Sequence, residues 1–294
     1  MPHPGDAVSV IIPAFNRRRE IARAIKSALG QSRTPDEIII VDDASTDGTA
    51  DAVAALGESR IRVLRQERNQ GAAAARNAGI EAARGDWIAF LDSDDEWATH
   101  KLERQLAALA GAPADMPVGI TGYRIEDYRY GEGSEFRPST RDASLDALVW
   151  GCPLSIGSTL LARREIFMEV GLLDAELRRL EDWEWLMRYL PAHRLNVVPD
   201  CLTIVHKASD PSFAQVETAI ARIRIQHRAE WYGRSWFAGR KFDSTLLVEE
   251  AAAAYWAQDK RRAALLSLQA LMAYPFRSGN FLTLLARRAF SDKS

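Results

Sequence analysis

The amino-acid sequence predicts an α/β protein in which a mostly parallel sheet is flanked by helices and followed by a C-terminal helical region. In the first third of the chain, short apolar and β-branched runs alternate with stretches of helical periodicity. Such alternation is typical of the β-α-β crossovers that build a parallel sheet. From about Ser212 onward, strand-like runs largely disappear and helical periodicity dominates.

The individual elements follow from these patterns in chain order. The first strands are predicted at residues 8–12, 37–41, 61–64 and 87–91, which are short runs rich in branched or aromatic residues. Helices are predicted between and after them, near residues 21–29, 49–56, 71–83 and 102–109. A polar, glycine-containing loop is expected at 127–141. Beyond it we expect strands at 156–162, 195–198 and 202–205, and helices at 164–170 and 182–190.

Length and composition set the broad class of protein. The chain has 294 residues, of which 47% are hydrophobic and 27% charged, as in an ordinary globular protein. We divide it into a first half-domain at 1–110, a second half-domain at 111–210 and a helical region at 211–294. The net charge of −2 gives no support for nucleic-acid binding, and the basic run at 17–19 is expected to be a solvated helix face.

Targeting signals are not evident in the sequence. The N-terminus has no long apolar segment, so a secretory signal is not expected, and no run of roughly twenty apolar residues is present. The two cysteines, Cys152 and Cys201, allow one disulfide but no disulfide framework, and no spacing resembles a zinc site. The expected location is the cytoplasm.

Acidic side chains collect where the predicted strands end. They follow the second and fourth runs, as Asp42, Asp43, Asp92, Asp94 and Asp95. Parallel strands present their carboxyl ends at one edge of the sheet, which is where ligands bind in such folds. Clustered carboxylates repel one another unless a cation lies between them, and Mg²⁺ or Mn²⁺ prefers such oxygen ligands. The pattern predicts one shared site.

An ordered set of motifs resembles family 2 glycosyltransferases. It comprises the segments 8–16, 41–49, 71–79, 90–95 and 181–183. The resemblance covers roughly residues 8–210, and an ordered set is more specific than any single motif. It implies the GT-A fold, a nucleotide-diphospho-sugar donor (a UDP-sugar), Mn²⁺ or Mg²⁺, and inversion at the anomeric carbon. It also implies a saccharide or lipid-linked acceptor in cell-envelope or exopolysaccharide synthesis.

The resemblance assigns donor contacts to Pro13, Ala14, Phe15, Asn16, Asp43, Arg76, Asp92 and Ser93. Asp43 is expected to accept hydrogen bonds from the nucleobase, beside an apolar wall that includes Phe15. The alternative for Phe15 is ordinary core packing. Arg76 either reaches the nucleotide or clamps the acidic strand ends, and both roles remain open. Asp42 is expected to stabilise the turn at Ser45 and Thr46 through hydrogen bonds between its side chain and the backbone.

The same resemblance places the metal at Asp94, Asp92 and His206. Asp94 is the expected direct ligand, and Asp92 is expected at the ribose or a metal-bound water. The alternative for His206 is an ordinary surface or packed histidine, and Ile204 stands where the family usually has an arginine. Asp95 is expected to be an acid favoured by the dipole at a helix N-terminus.

Inverting transfer requires a base for the acceptor hydroxyl, and the resemblance points to Asp182, with Glu181 as the second choice. The alternative for Asp182 is an N-cap of the helix that follows. Trp183 and Trp185 either line the acceptor site or lie in the core.

Other functions would require different sequence features. A dehydrogenase would need Gly-x-Gly-x-x-Gly after its first strand, where residues 13–16 have none of these glycines. A sugar-nucleotide nucleotidyltransferase and a non-catalytic carbohydrate-binding protein on the same fold are the remaining alternatives. The apolar and basic stretch at 274–290 is expected to contact a membrane peripherally, or else to pack on the protein or on a partner chain. The oligomeric state is not predicted.

Overall fold

The computed structural model describes residues 6–127, 133–207 and 212–277. These residues divide into two compact units. The first contains residues 6–148 and 152–207, and the second contains residues 149–151 and 212–277.

The described part of the first unit contains nine strands and eight helices. The strands are β1 (Val8–Ala14), β2 (Glu37–Asp42), β3 (Ile61–Arg65), β4 (Trp87–Phe90), β5 (Glu96–Trp97), β6 (Val118–Asp127), β7 (Ser134–Phe136), β8 (Leu161–Arg163) and β9 (Leu195–Lys207). The helices are α1 (Ile21–Leu29), α2 (Thr49–Ala54), α3 (Ala72–Ala82), α4 (Lys101–Ala110), α5 (Leu145–Leu148), α6 (Ile156–Thr159), α7 (Ile166–Glu169) and α8 (Glu181–Tyr189).

These strands form one mixed sheet in the order β3-β2-β1-β4-β8-β6-β9-β5, with β7 paired to β6. The four neighbours β3, β2, β1 and β4 are all parallel, as the strand–helix alternation predicts. The chain adds β2 and β3 on one side of β1 and β4 on the other, so the strand order reverses at β1. The predicted fold class, an α/β sheet flanked by helices, is confirmed.

The core explains why these segments adopt these elements. All seven residues of β1 and all six of β2 are buried, because helices cover both faces of a parallel sheet. Helix α1 buries Ile21, Ala24, Ile25 and Ala28, which recur every three or four residues. Helix α3 approaches β1 closely at Gly79, where an added Cβ would lie 2.4 Å from Ile11 Cγ2.

Several element predictions were wrong. Residues 156–162 form a helical turn, α6, before the short strand β8, because a short apolar run does not distinguish helix from strand. The runs at 195–198 and 202–205 belong to one strand, β9. The expected loop at 127–141 includes β7. Strands β5 and β6 were not predicted, since β5 has two residues and β6 mixes glycine and charged residues with apolar ones.

The second unit contains three helices within its described residues: α9 (Phe213–Arg234), α10 (Trp236–Trp256) and α11 (Lys260–Ala273). This confirms the predicted change to helical structure near Ser212. Ser235 and Asp259 cap α10 and α11 by accepting hydrogen bonds from the backbone. Trp231 and Phe242 stack in the interior with ring centroids 5.7 Å apart.

None of the helices among the described residues combines the length and the apolar character needed to cross a bilayer. Most of the stretch expected to contact a membrane, from 278 onward, lies outside the described residues.

Candidate active site

The carboxyl ends of β1, β2 and β4 lie side by side at one edge of the sheet. Ala14 pairs with Asp42 at the ends of β1 and β2, and Ile11 pairs with Phe90 at the end of β4. The loops that follow these strands therefore begin from one edge, as predicted for a single site.

The loops after β1 and β2 are joined by hydrogen bonds. The backbone N–H of Asn16 donates to Ser45 Oγ at 2.9 Å, and Asn16 Oδ1 accepts from the N–H of Thr46 at 2.9 Å. Asn16 has a φ of +53°, a left-handed conformation that asparagine tolerates better than most residues. Asp42 Oδ1 accepts from the N–H of Ser45 at 2.9 Å, which confirms the structural role expected for Asp42.

An aromatic side chain is exposed at this edge. Phe15 is 44% exposed directly after β1, whereas Pro13 and Ala14 are buried within the strand. The alternative that Phe15 is a core residue is therefore wrong. An exposed ring at the carboxyl end of a central strand offers a flat surface on which a nucleobase can stack.

Asp43 is held by the loop that leads into α3. Its Oδ1 accepts from the N–H of Gln70 and its Oδ2 from the N–H of Gly71, both at 2.7 Å. The carboxylate is only 3% exposed. Each oxygen keeps a second lone pair, so the predicted hydrogen bond to a base stays a prediction.

Arg76 joins two acids that are far apart in the sequence. Its Nη2 lies 2.5 Å from Asp92 Oδ1, and its Nη1 lies 2.8 Å from Glu181 Oε1. The guanidinium is buried, and although burial opposes its charge, the two carboxylates raise the pKa of Arg76. Of the two roles left open for Arg76, these contacts show the clamp.

Asp94 pairs with an arginine that was expected to be solvated. Arg17 Nη2 lies 3.3 Å from Asp94 Oδ2, so the basic run at 17–19 is not merely a solvated face, and that expectation was wrong for Arg17. The backbone oxygen of Asp94 accepts from Arg23 Nη2, whose guanidinium also pairs with Glu96. Burial and the charge of Asp92 raise the pKa of Asp94.

Asp95 does not begin a helix, so its expected role was wrong. It precedes the two-residue strand β5, and α4 begins only at Lys101. The carboxylate accepts from Ser158 Oγ at 2.5 Å and from the N–H of His206 at 2.9 Å. Burial and the charge of Asp92 raise the pKa of Asp95 well above its usual value. Asp95 therefore connects α6 and β9 to the acidic loop, residues 91–95, which lies between β4 and β5.

The three predicted metal ligands do not meet in one place. His206 Nε2 contacts Glu96 Oε1 at 2.7 Å, and its Nδ1 lies 3.7 Å from Glu126 Oε2. Among residues 6–127, 133–207 and 212–277, no three histidine, cysteine, aspartate or glutamate side chains are arranged to hold a metal ion.

The acidic loop nevertheless contains carboxylates of the kind that bind a divalent cation. Burial, and after it the charge of Asp92, raises the pKa of Asp94, and a cation between the two carboxylates would favour the ionised form. Mg²⁺ commonly uses one or two protein carboxylates and completes its shell with water and substrate phosphates. Asp92 and Asp94 fit that requirement without a third protein ligand.

The predicted base lies in the first turn of α8. Leu180, with φ +63°, precedes the helix as its N-cap residue, and Glu181 and Asp182 follow it, so the N-cap alternative for Asp182 was wrong. Asp182 Oδ1 accepts from the N–H of Trp183 at 2.7 Å. Burial and the charge of Glu181 raise the pKa of Asp182 to about 6. Trp183 and Trp185 are fully buried and belong to the core.

Other residues at this edge were not predicted from the sequence. Ser158 Oγ accepts from the N–H of Asp92 at 3.0 Å and is fully buried. An added Cβ on Gly157 would lie 2.6 Å from Asp92 Oδ2. Arg178 donates to Asn69 Oδ1 at 2.7 Å, beside the loop that holds Asp43. The only signal for Ser158 was a polar residue within an apolar run.

Comparison with known proteins agrees with this arrangement. The family model for glycosyl transferase family 2 matches residues 9–171. ExoO of Rhizobium meliloti, a succinoglycan biosynthesis protein, is 44% identical over 111 residues, which cover 38% of this chain and 32% of ExoO. WfaP of Escherichia coli, a UDP-Glc:alpha-D-GlcNAc-diphosphoundecaprenol beta-1,3-glucosyltransferase, is 45% identical over 101 residues, covering 34% of this chain and 40% of WfaP.

A solved structure extends the comparison over most of the chain. TarS 1–349 of S. aureus in complex with UDP-GlcNAc superimposes with a TM-score of 0.59 at 18% identity, covering 93% of this chain and 92% of that one. This likeness confirms the GT-A fold. The matches to ExoO and WfaP each span less than half of those proteins. Because the family model covers more than half of its residues, this chain belongs to glycosyl transferase family 2.

Proposed function

We propose that the chain transfers a sugar, with inversion, from a UDP-sugar to a hydroxyl of a saccharide or lipid-linked acceptor in envelope or exopolysaccharide synthesis. The observation that carries the proposal is the buried Arg76, which joins the acidic loop at Asp92 to Glu181, the neighbour of Asp182. The UDP-GlcNAc in the TarS complex and the UDP-Glc in the name of WfaP support the choice of donor.

The donor is expected to lie across the carboxyl ends of β1, β2 and β4. Phe15 would stack on the base, and the free lone pairs of Asp43 would accept its N–H. The diphosphate would then point toward the acidic loop that contains Asp92 and Asp94. Mn²⁺ or Mg²⁺ held there would neutralise the charge that develops on the diphosphate as it leaves.

The transfer needs one base that takes the proton of the attacking hydroxyl. The acceptor oxygen forms a bond to the anomeric carbon while the bond from that carbon to the diphosphate oxygen breaks, and its electron pair leaves with the diphosphate. Attack from the opposite face inverts the anomeric centre. Asp182 takes the hydroxyl proton as the new bond forms.

Asp182 is suited to this step by its surroundings. A pKa of about 6 leaves its carboxylate largely ionised at neutral pH, yet more basic than an exposed aspartate. Its Oδ1 is fixed by the N–H of Trp183 at the start of α8, so the orientation of the carboxylate is constrained. Glu181 is paired with Arg76, and we assign it a positioning role.

A donor screen tests the proposal. The protein is incubated with a panel of nucleotide-sugars and Mn²⁺, and both the melting temperature and the release of nucleoside diphosphate are measured. We expect stabilisation by UDP-sugars that EDTA abolishes. The Asp94→Asn variant should lose this stabilisation by UDP-sugars, whereas Asp51→Asn, at an exposed position in α2, should keep it. Release of pyrophosphate from a nucleoside triphosphate would instead indicate a nucleotidyltransferase and overturn the proposal.

A further inference from the structure

The second unit exposes large apolar side chains on α10 and α11. Trp236 and Phe237 begin α10 and are 61% and 57% exposed. Side chains on α11 and just after it are 55–78% exposed. Together they form what we call the α10–α11 surface: Trp236, Phe237, Leu265, Leu268, Met272 and Phe276.

Contacts through Arg240 join the first turn of α10 to the end of α11. The guanidinium of Arg240 lies 5.6 Å from the ring of Trp236 and donates to the backbone oxygens of Met272 and Ala273, each at 2.7 Å. The start of α10 therefore lies beside the end of α11. Leu265, Leu268 and Met272 follow one another at intervals of three and four residues, which places them on one face of α11.

Cations outnumber acids around this surface. Residues 259–277 include Lys260, Arg261, Arg262 and Arg277 against Asp259, which caps α11, and Arg262 pairs with Glu217. Residues 230–243 include Arg234, Arg240 and Lys241 against Asp243 and Glu230, of which Glu230 pairs with Arg234. Arg261 is four residues before Leu265 and so shares its face of α11. The surface is therefore complementary to an anionic partner.

The aliphatic side chains decide which anionic partner fits. Leucine and methionine offer a saccharide no hydrogen bonds and no flat stacking face, whereas they gain free energy on entering lipid. Tryptophan favours the headgroup level of a bilayer and phenylalanine favours its apolar side, while arginine and lysine reach lipid phosphates with their stems in apolar surroundings. Large exposed apolar patches on proteins commonly mark such interaction sites.

We infer that the α10–α11 surface docks onto an anionic lipid bilayer, with its apolar side chains in the interface and its cations on the lipid phosphates. The inference goes beyond the proposed reaction, because it concerns the second unit alone and requires neither donor nor acceptor. A protein that fails to transfer sugar can still bind vesicles, so the two proposals fail separately.

Vesicle flotation of the full chain tests the inference. The vesicles are phosphatidylcholine alone, or phosphatidylcholine with about one third phosphatidylglycerol. We expect the wild type to float with the anionic vesicles, at least about fivefold more than with the neutral ones, and less at about 0.5 M NaCl. The double variants Trp236→Ser/Phe237→Ser and Leu268→Ser/Met272→Ser should each lose most of the bound fraction.

The control is Met168→Ser, which removes another apolar side chain that is 82% exposed, on α7 of the first unit, and should float like the wild type. Circular dichroism of every variant confirms that the helices are intact. Wild-type protein that stays unbound to anionic vesicles would overturn the inference, as would double variants that float normally. If the wild type is a dimer that these variants convert to monomers, without flotation, the surface binds a second copy and the inference is wrong.

Discussion

Arg76 and Glu181 are 105 residues apart in the chain, yet Nη1 of the first lies 2.8 Å from Oε1 of the second. Arg76 belongs to α3, behind the acidic loop, and Glu181 begins α8, next to the proposed base. The other guanidinium nitrogen holds Asp92. One buried cation therefore fixes the acidic loop relative to the helix that carries Asp182.

Replacing Arg76 with methionine should destabilise the protein substantially. Removing one partner of a buried ion pair costs about 3–5 kcal/mol, and we expect about 2–3 kcal/mol here because the side chain of Asp92 is 35% exposed. Urea unfolding measures the loss. Arg60→Met is the control, since Arg60 pairs with Glu58 at the surface and its loss should matter much less. Equal losses in the two variants would contradict the clamp role of Arg76.

Gly157→Ala should disturb the ion pair between Arg76 and Asp92 without removing a charge. The added Cβ would lie 2.6 Å from Asp92 Oδ2 and 2.8 Å from Arg76 Nη2, so the ion pair must shift. We expect a loss of about 1–3 kcal/mol in the free energy of unfolding, as for overpacking in general. Gly111→Ala is the matched control, because an added Cβ there meets nothing within 4 Å and should leave stability nearly unchanged. A neutral Gly157→Ala would mean that the loop adapts freely.

Glu181→Gln should shift the pH dependence of the reaction. A base must be deprotonated, so kcat/KM of the wild type should fall about tenfold per pH unit below the pKa of Asp182, about 6. The charge of Glu181 contributes to raising that pKa, so removing it lowers the pKa and moves the acid limb to lower pH. The exposed Glu176→Gln serves as control and should leave the profile in place. An acid limb at the same pH in Glu181→Gln would contradict this coupling.

The sequence predicted most of the strands and helices of residues 1–110 well, because their signals are local. The runs that became β1, β2 and β4 are mostly apolar and wholly buried, as is typical of strands covered on both faces, and acids end two of them. Because Asp43 and Asp92 each follow the end of a strand, the sequence alone predicted that they lie at the same edge of the sheet.

The remaining features depend on contacts between distant segments. Nothing near Arg17 in the sequence indicates its pairing with Asp94, and Ser158 stands in an apolar run that resembled a strand. Asp95 resembled a helix-terminal acid, yet its partners come from α6 and β9. His206 was grouped with the metal ligands by motif, whereas its ring contacts Glu96. Pairings of this kind are set by the packing of the sheet, which local patterns do not report.

The most direct test measures donor binding and turnover side by side for wild type and Asp182→Asn. Asparagine keeps the shape of the side chain but cannot accept the hydroxyl proton as a base. We expect the Kd for the UDP-sugar, measured by calorimetry with Mn²⁺, to stay close to that of the wild type. The kcat for transfer should fall by about 10²–10⁴-fold. Turnover that survives in Asp182→Asn with binding intact would contradict the account.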